Sequence, residues 1–462
     1  MESLTKLLSL ALFALLIPVR PLAAQGLSVY THSACMLARG GAGVAGPCTD
    51  GSAVFYSPAA LALQTGAVSA GIIAIQTESE FTFDAGGGTF ESTQPLAWVP
   101  HGWASVRPGP RLALALGVYA PYGLKTEWPL DFEGRFVGYD NELRGIYIQP
   151  TVAYQIVPGR FSLGAGVAIV SGSVEINQRL DLAETLIPGT DVTFAALGVP
   201  RGTDFADLRL EGDAWTATFH LGAHVRANER LEFGIRYLHT ADLDVDDGTA
   251  DFTQIETGIP LPPGNPFGLP AGTPVDVVLA PLFGPGGPLS DQRLRTDLTL
   301  PNQLVLGARY QVNRRFAVVA DYQWTGWNSF DEAPLDFQRA PDEVLILDFE
   351  NTSTIRLGAD YEASDRWDLR TGIVYNDAAA SDVTVTPLLP EVDRVTLAIG
   401  AGYRISDRFR ADAGFEYIFP NERRGRVRPR TSRTQTAAEL NVGEYESRGL
   451  AFGATLVYRL GR

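Results

Sequence analysis

The most regular feature of the chain is an alternation of apolar with polar or small residues, which recurs from about Thr65 to the C-terminal end. Successive side chains of a β-strand point to opposite faces, so a period of two predicts half-buried strands. The segment AWTATFHLGAHVRA illustrates it. Its apolar face carries Trp215, Ala217, Phe219, Leu221, Ala223 and Val225, and its other face carries Thr216, Thr218, His220, Gly222, His224 and Arg226.

The connections between these strands alternate between two kinds. Six are tight turns, each of which delivers an arginine at the start of the next strand: Arg111, Arg160, Arg230, Arg315, Arg366 and Arg408. Seven are long loops, notably 242–290 and 420–446. Short turns at one end and long loops at the other predict an all-β fold, a transmembrane antiparallel β-barrel of about 14 strands in a bacterial outer membrane. A soluble β-sandwich or propeller would hide its apolar faces and would lack this alternation.

The N-terminal part divides into two further segments. Residues 1–24 contain Lys6, an apolar run and small residues at Ala23 and Ala24, the layout of a Sec-type signal peptide that is cleaved after export. A membrane anchor is the alternative, although the apolar run is only about half of a span. Residues 25–64 have no period of two and are expected to form a compact plug, or hatch, inside the barrel formed by residues 65–462.

Charge and cysteine content narrow the possible partners. The net charge of −16 argues against a nucleic-acid partner, which calls for a basic patch. The two cysteines, Cys35 and Cys48, lie close together in the hatch segment. In an oxidising compartment they can form a disulfide, and a pair of free thiols is the alternative.

Three segments carry a family resemblance. ARGGAGVAGPCTDGSAVFYSPAALAL resembles the hatch of the FadL-type outer-membrane transporters of long-chain fatty acids and aromatic hydrocarbons, whose Asn-Pro-Ala signature falls at Ser57, Pro58 and Ala59. PLAWVPHGWASV is similar to the second strand of that family, and YGLKTEW is similar to its Tyr-Gly-Leu-x-Thr-Glu-aromatic segment. Ser57 stands where the family has asparagine.

The resemblance implies passive transport of a hydrophobic small molecule across the outer membrane by a monomer that contacts outer-membrane lipid and lipopolysaccharide. In that family the ligand leaves sideways through an inward kink in the third strand. That position corresponds to Ala120, Pro121, Tyr122 and Gly123, where a proline without a backbone N–H interrupts a strand. Long-chain fatty acids are the expected substrate, with aromatic hydrocarbons as an alternative and a structural or adhesive barrel as a third possibility.

The sequence offers no enzyme motif, and we expect no cofactor and no metal. His220 and His224 share a face but stand roughly 13 Å apart on a strand, too far to share a metal directly. The inward face also carries arginines, among which Arg236, Arg356, Arg370 and Arg410 are candidate contacts for a ligand carboxylate. The alternative is that they pair with acidic residues and brace the barrel.

Overall fold

The computed structural model describes residues 28–84, 86–187, 190–428 and 442–460, so the expected signal peptide lies outside the described residues. Nineteen strands are present in these ranges. They are β1 (Gly66–Phe83), β2 (Thr89–Glu91), β3 (Ala97–Val106), β4 (Leu112–Glu127), β5 (Asp140–Val157), β6 (Phe161–Leu180), β7 (Ala206–Arg226), β8 (Leu231–Leu238), β9 (Ala241–Gln254), β10 (Gln292–Leu300), β11 (Gln303–Gln311), β12 (Phe316–Thr325), β13 (Glu332–Phe337), β14 (Glu343–Ile346), β15 (Thr352–Glu362), β16 (Trp367–Asn376), β17 (Arg394–Arg404), β18 (Phe409–Gly425) and β19 (Gly443–Leu460).

Short helices complete the described secondary structure. The α-helices are Ala34–Leu37, Ala53–Tyr56 and Asp276–Phe283, and the 3₁₀ helices are Pro58–Leu63, Glu133–Phe136, Ala195–Leu197 and Trp327–Ser329. Within the described ranges, no helix has the length and apolarity needed to cross a membrane.

The strands close into a barrel whose wall has fourteen positions. Strand β1 pairs with both β3 and β19, which closes the sheet on itself. β8 and β9 are successive halves of one wall strand, because both pair with β7, and β10 and β11 form the next wall strand in the same way. β2, β13 and β14 lie in the connections. This confirms the predicted antiparallel barrel of about 14 strands.

The two ends of the barrel differ as the sequence predicts. Between the strands that the structure describes, six tight turns lie at one end, here called the short-turn end, and seven longer connections lie at the other, the long-loop end. Three expected loop bounds were wrong. β9 continues to Gln254 and β18 to Gly425, so the loops begin later than 242 and 420, and β19 begins at Gly443, so the last loop ends before 446.

The strands extend further because the alternation continues, but the apolar residues move from the outward face to the inward face. Near the short-turn end, β7 places apolar residues such as Phe219 and Leu221 outward, with His220 inward. Near the long-loop end the same strand places Arg209 and Glu211 outward and Leu210 inward. The outer surface of the barrel therefore changes from a lipid-facing band to a solvent-facing band whose interior is apolar. Hydrogen-bonded strands can form in both bands.

Residues 28–64 fold inside the barrel and contact its inner wall. The backbone N–H groups of Gly43 and Val44 donate to Asp321 Oδ2 at 2.6 and 3.0 Å. Arg39, with only 3% of its side chain exposed, forms a salt bridge of 2.7 Å with Asp360. The hatch is thereby attached to β12 and β15.

Candidate functional site

An apolar cavity lies inside the long-loop half of the barrel. It contains about 780 Å³ of space not filled by atoms, part of it open to solvent. Strand residues form one side of it: Leu124, Leu143, Val174, Leu210, Val245, Leu294 and Leu298. Residues of the connections and loop strands form the other: Phe330, Ala333, Leu335, Leu345, Leu347, Phe349, Leu388 and Leu389. Such a surface favours an apolar ligand, because burial removes that ligand from water.

The third wall strand, β4, contains the predicted irregularity. Its pairing with β5 shifts by one residue between Tyr119 and Tyr122, so Ala120 and Pro121 form a bulge. Tyr119 and Tyr122 both point inward on either side of it, and each is at most 1% exposed. An extra residue in one strand bends that strand and leaves part of the ladder unpaired.

The bulge coincides with a gap in the wall between β3 and β4. Their pairing is limited to Gly102–Val106 with Leu114–Val118, so Ala97–His101 have no partner on β4. At the far side of the gap, Thr93 N donates to Glu127 O at 2.7 Å. We call this gap, between Ala97–His101 and Tyr119–Thr126, the wall window.

The N-terminal end of the hatch occupies part of the wall window. Ser28 forms an isolated antiparallel bridge with Tyr122, and Val29 N donates to Pro121 O at 2.8 Å. The free edge of β4 thus takes a short piece of the same chain as its partner. Exposed strand edges readily accept such a partner.

Aromatic side chains connect the cavity with the bulge. Phe330 and Phe349 line the cavity, and their rings lie 6.1 and 5.8 Å from the ring of Trp327. Trp327 in turn lies 6.2 Å from Tyr122, and both are fully buried. A row of packed aromatic rings therefore extends from the cavity to the wall window.

Two of the four candidate arginines, Arg370 and Arg410, belong to a salt-bridge network. Arg370 contacts Asp360 at 3.1 Å and Asp412 at 2.9 Å, and Arg410 contacts Asp368 at 2.5 Å and Asp412 at 2.9 Å. With their carboxylate partners already in place, these two arginines brace the barrel and hold the hatch through Asp360.

Arg236 and Arg356 have a different environment. Each is buried, and each donates to a glutamine at 3.0 Å, Gln303 for Arg236 and Gln323 for Arg356. Within the described residues, Nη1 of Arg236 and Nε and Nη2 of Arg356 have no hydrogen-bond partner. A buried guanidinium without a paired carboxylate is costly, which makes both arginines candidate anion contacts.

Arg236 is joined to the bulge by hydrogen bonds. Its Nη2 donates to Gln303 Oε1, and Gln303 Nε2 donates to Tyr122 Oη at 3.0 Å. Tyr122 Oη donates to Pro301 O. The guanidinium also lies 4.3 Å from the ring centroid of Phe55 in the hatch. Arg236 therefore connects the wall, the wall window and the hatch.

The hatch signature residues lie against glycines of the wall. Ser162 Oγ donates to Ala59 O at 2.8 Å. A Cβ at Gly164 would lie 2.4 Å from the carbonyl carbon of Pro58, so glycine is required for this close approach. Ser57 is buried, and its Oγ has no partner among the described residues. Cys35 and Cys48 form a disulfide that closes the hatch loop.

The two histidines of β7 have separate surroundings. His220 Nδ1 lies 3.2 Å from Gln149 Oε1, whereas His224 Nε2 lies 2.9 Å from Ala45 O. In the part of the chain that the structure describes, no group of three or more His, Cys, Asp or Glu residues is placed to hold a metal ion.

A buried carboxyl group supports the cavity from the loop between β16 and β17. Glu391 Oε2 accepts hydrogen bonds from the backbone N–H groups of Ala379 and Ala380 at 2.9 and 2.8 Å. Burial raises the pKa of Glu391 to about 7. The same loop supplies Leu388 and Leu389 to the cavity.

Sequence reasoning missed three parts of this site. The apolar cavity does have a sequence signal, because Leu208 and Leu210 alternate with charged residues. The charged residues make such a segment resemble a loop when only strands with an apolar, lipid-facing side are expected. Neither the pairing of Ser28 with β4 nor the role of Glu391 has a local signal, because both depend on contacts between distant segments.

Comparisons with known proteins agree with this architecture. The family model described as "Outer membrane protein transport protein (OMPP1/FadL/TodX)" matches residues 17–460. The chain is 26% identical over 386 residues to the 47 kDa outer membrane protein of Pasteurella multocida, covering 83% of this chain and 84% of that protein. It is 24% identical over 335 residues to the long-chain fatty acid transport protein of an Escherichia coli strain, covering 70% of each.

Solved structures share the fold. A Pseudomonas aeruginosa FadL homologue superposes with a TM-score of 0.78 at 22% identity, covering 95% of this chain and 100% of that one. The Ralstonia pickettii toluene transporter TbuX superposes with a TM-score of 0.64 at 20% identity, covering 94% and 99%. The barrel therefore lies in the bacterial outer membrane as a transporter of hydrophobic compounds, and the chain belongs to the OMPP1/FadL/TodX family of outer membrane transport proteins.

Proposed function

We propose that the protein carries long-chain fatty acids from the cell exterior through the apolar cavity and the wall window into the outer membrane. The row of packed aromatic rings from Phe330 and Phe349 through Trp327 to Tyr122 is the observation that carries this proposal. An apolar molecule gains little from an aqueous pore, whereas apolar contacts along its route compensate for leaving water. Movement is passive and requires neither a cofactor nor bond chemistry.

The position of Arg236 supports a fatty acid as the substrate. A fatty acid has an apolar tail, which suits the cavity, and a carboxylate, which suits an arginine without a paired anion. Arg236 is connected through Gln303 to Tyr122, which borders the wall window. The carboxylate can thus be held while the tail lies along the aromatic residues.

The final step is release at the wall window. Ser28 and Val29 must leave the free edge of β4 before a ligand can pass between β3 and β4. Breaking one short bridge costs little compared with opening a full ladder. One chain supplies the cavity, hatch and window, so we propose a monomer whose outer face contacts membrane lipid and lipopolysaccharide.

Neutral aromatic hydrocarbons are a second candidate substrate. The inward side chains that line the described cavity are almost all apolar and include no lysine or arginine. That lining suits a neutral ligand at least as well as an acid. The two candidates differ in whether they need Arg236.

The discriminating experiment is uptake by a strain that lacks its own transporter and expresses either this protein or its Arg236→Gln variant. With fatty acid as substrate, uptake of labelled oleate falls about tenfold or more, because a charge-assisted contact contributes about 1.5–3 kcal/mol, and uptake of toluene is unchanged. Equal uptake of oleate by both proteins would contradict the fatty-acid proposal. A heat-modifiable band on an electrophoresis gel checks that the variant barrel is folded.

A further inference from the structure

All six tight turns of the barrel hold an arginine in the same way. In each turn the backbone carbonyl of the arginine accepts a hydrogen bond of 2.7–2.9 Å from a backbone N–H of the neighbouring hairpin. The donors are, in order, Gln155, Arg226, Gln311, Glu362, Arg404 and Arg459. The acceptors, which we call the arginine rim, are Arg111, Arg160, Arg230, Arg315, Arg366 and Arg408. The rim places six guanidinium groups at equivalent positions around the short-turn end.

The rim is exposed and carries a net positive charge. All six side chains are exposed, and none forms a salt bridge with a carboxylate among the described residues. Across the six turns, 107–111, 158–160, 227–230, 312–315, 363–366 and 405–408, eight arginines stand against three acidic residues, which leaves a net charge of +5. The whole chain, in contrast, has a net charge of −16.

Lipid-facing aromatic residues adjoin the rim. Arg366 Nη1 lies 3.4 Å from Tyr403 Oη, and Arg408 Nη1 lies 3.3 Å from Tyr458 Oη. The next residue after each arginine, Trp367 or Phe409, packs against the same tyrosine at ring distances of 4.7 and 5.0 Å. Aromatic girdles of this kind mark the level of lipid headgroups.

We propose that the arginine rim binds the phosphate groups of anionic phospholipids in the inner leaflet of the outer membrane. The guanidinium fork matches phosphate geometry, and the adjoining apolar faces of the strands are positioned for the acyl chains of the same lipid. A soluble anion would use the charge but not the apolar faces. The position of the rim beside the aromatic girdle therefore favours a lipid over a free phosphate or an acidic protein. The rim fixes the depth of the barrel at the periplasmic surface.

The test uses the purified full chain in a non-ionic detergent, with lipid binding followed by native mass spectrometry. Phosphatidylglycerol and phosphatidylcholine with identical acyl chains are added separately, and glycerol 3-phosphate supplies the headgroup without chains. The test variant carries glutamine at all six rim positions. The control variant carries glutamine at six exposed arginines of the long-loop half: Arg201, Arg209, Arg293, Arg295, Arg424 and Arg448.

For the parent protein we expect a preference for phosphatidylglycerol of about fivefold or more, since one basic residue at an anionic membrane surface contributes about that factor. The rim variant should lose the preference, and the control variant should keep it. If the rim variant does not fold, Arg366→Gln with Arg408→Gln should reduce the preference in part. The proposal is overturned if the parent shows no preference, if both variants lose it equally, or if glycerol 3-phosphate binds as tightly as the lipid.

Discussion

Deletion of Pro121 tests the wall window most sharply. Before the bulge Tyr119 pairs with Tyr147, and after it Tyr122 pairs with Gly145, so β4 has one residue more than β5 over this stretch. Removing Pro121 restores a regular register and keeps both tyrosines on the inward face. It also removes a residue that cannot donate a backbone hydrogen bond.

The expected gain in stability follows from the pairing that becomes available. Ala97–His101, five residues of β3, have no partner on β4 in the present structure. Pro100 has no N–H, so about four ladder hydrogen bonds can form. At about 0.5–1.5 kcal/mol each, the closed wall would be more stable by about 2–6 kcal/mol, reduced by loss of the bond between Val29 and Pro121.

The matched control is deletion of Pro420. β18 contains a second one-residue bulge that ends in proline, between Ile418 and Asn421 in its pairing with β19. That bulge lies beside the first residues of β17, where the wall has no gap, so removing it closes no window. Both variants would be expressed in a strain without its own transporter and assayed for oleate uptake, and both would be purified for oleate binding by calorimetry.

We expect deletion of Pro121 to reduce uptake by at least about tenfold while binding stays within about twofold, because the cavity is unchanged. Deletion of Pro420 should leave both unchanged. If the Pro121 deletion gives a folded protein that binds and takes up oleate like the parent, the substrate does not leave through the wall window.

Two further predictions concern the cavity and its supporting loop. Leu210→Trp fills the cavity and should weaken oleate binding about tenfold or more, whereas Arg209→Trp on the outward face should not, which calorimetry distinguishes. The pKa of Glu391 is about 7 in the folded loop and returns to its ordinary value of 4.5 when the loop opens. The loop should therefore lose about 3 kcal/mol of stability as pH rises from about 4.5 to 7 and stay constant above that. Hydrogen exchange at Ala379 and Ala380 measures this loss, and Glu391→Gln should remove most of it.

The wall of the barrel follows from the sequence because each of its signals is local. Alternation in segments such as 215–226 depends only on neighbouring residues, and the turns that present Arg230 or Arg408 are short enough to recognise directly. The loop bound at 242 was misjudged because the apolar residues of β9 lie on its inward face, whereas those of β8 lie on its outward face. In β9, Asp242 and Asp244 point outward into solvent, and Leu243 and Val245 point inward.

The candidate site was less predictable because its properties depend on distant partners. Pro121 signals a bulge, but only the structure places Ser28 and Val29 on its free edge. Likewise, Arg236 and Arg370 are both inward-facing arginines in the sequence. One lacks a carboxylate partner and the other has Asp360 and Asp412, a difference that arises from side chains on other strands.

The central claim is that the substrate leaves sideways through the wall rather than through the hatch into the periplasm. Photo-crosslinking in living cells tests it directly, with an oleate analogue that carries a diazirine and peptide mapping of the labelled sites. We expect labelling of the cavity residues and of both borders of the wall window, Ala97–His101 and Tyr119–Thr126. Labelling of the hatch around Ser57–Ala60 at the short-turn end, without labelling of the window borders, would contradict the account.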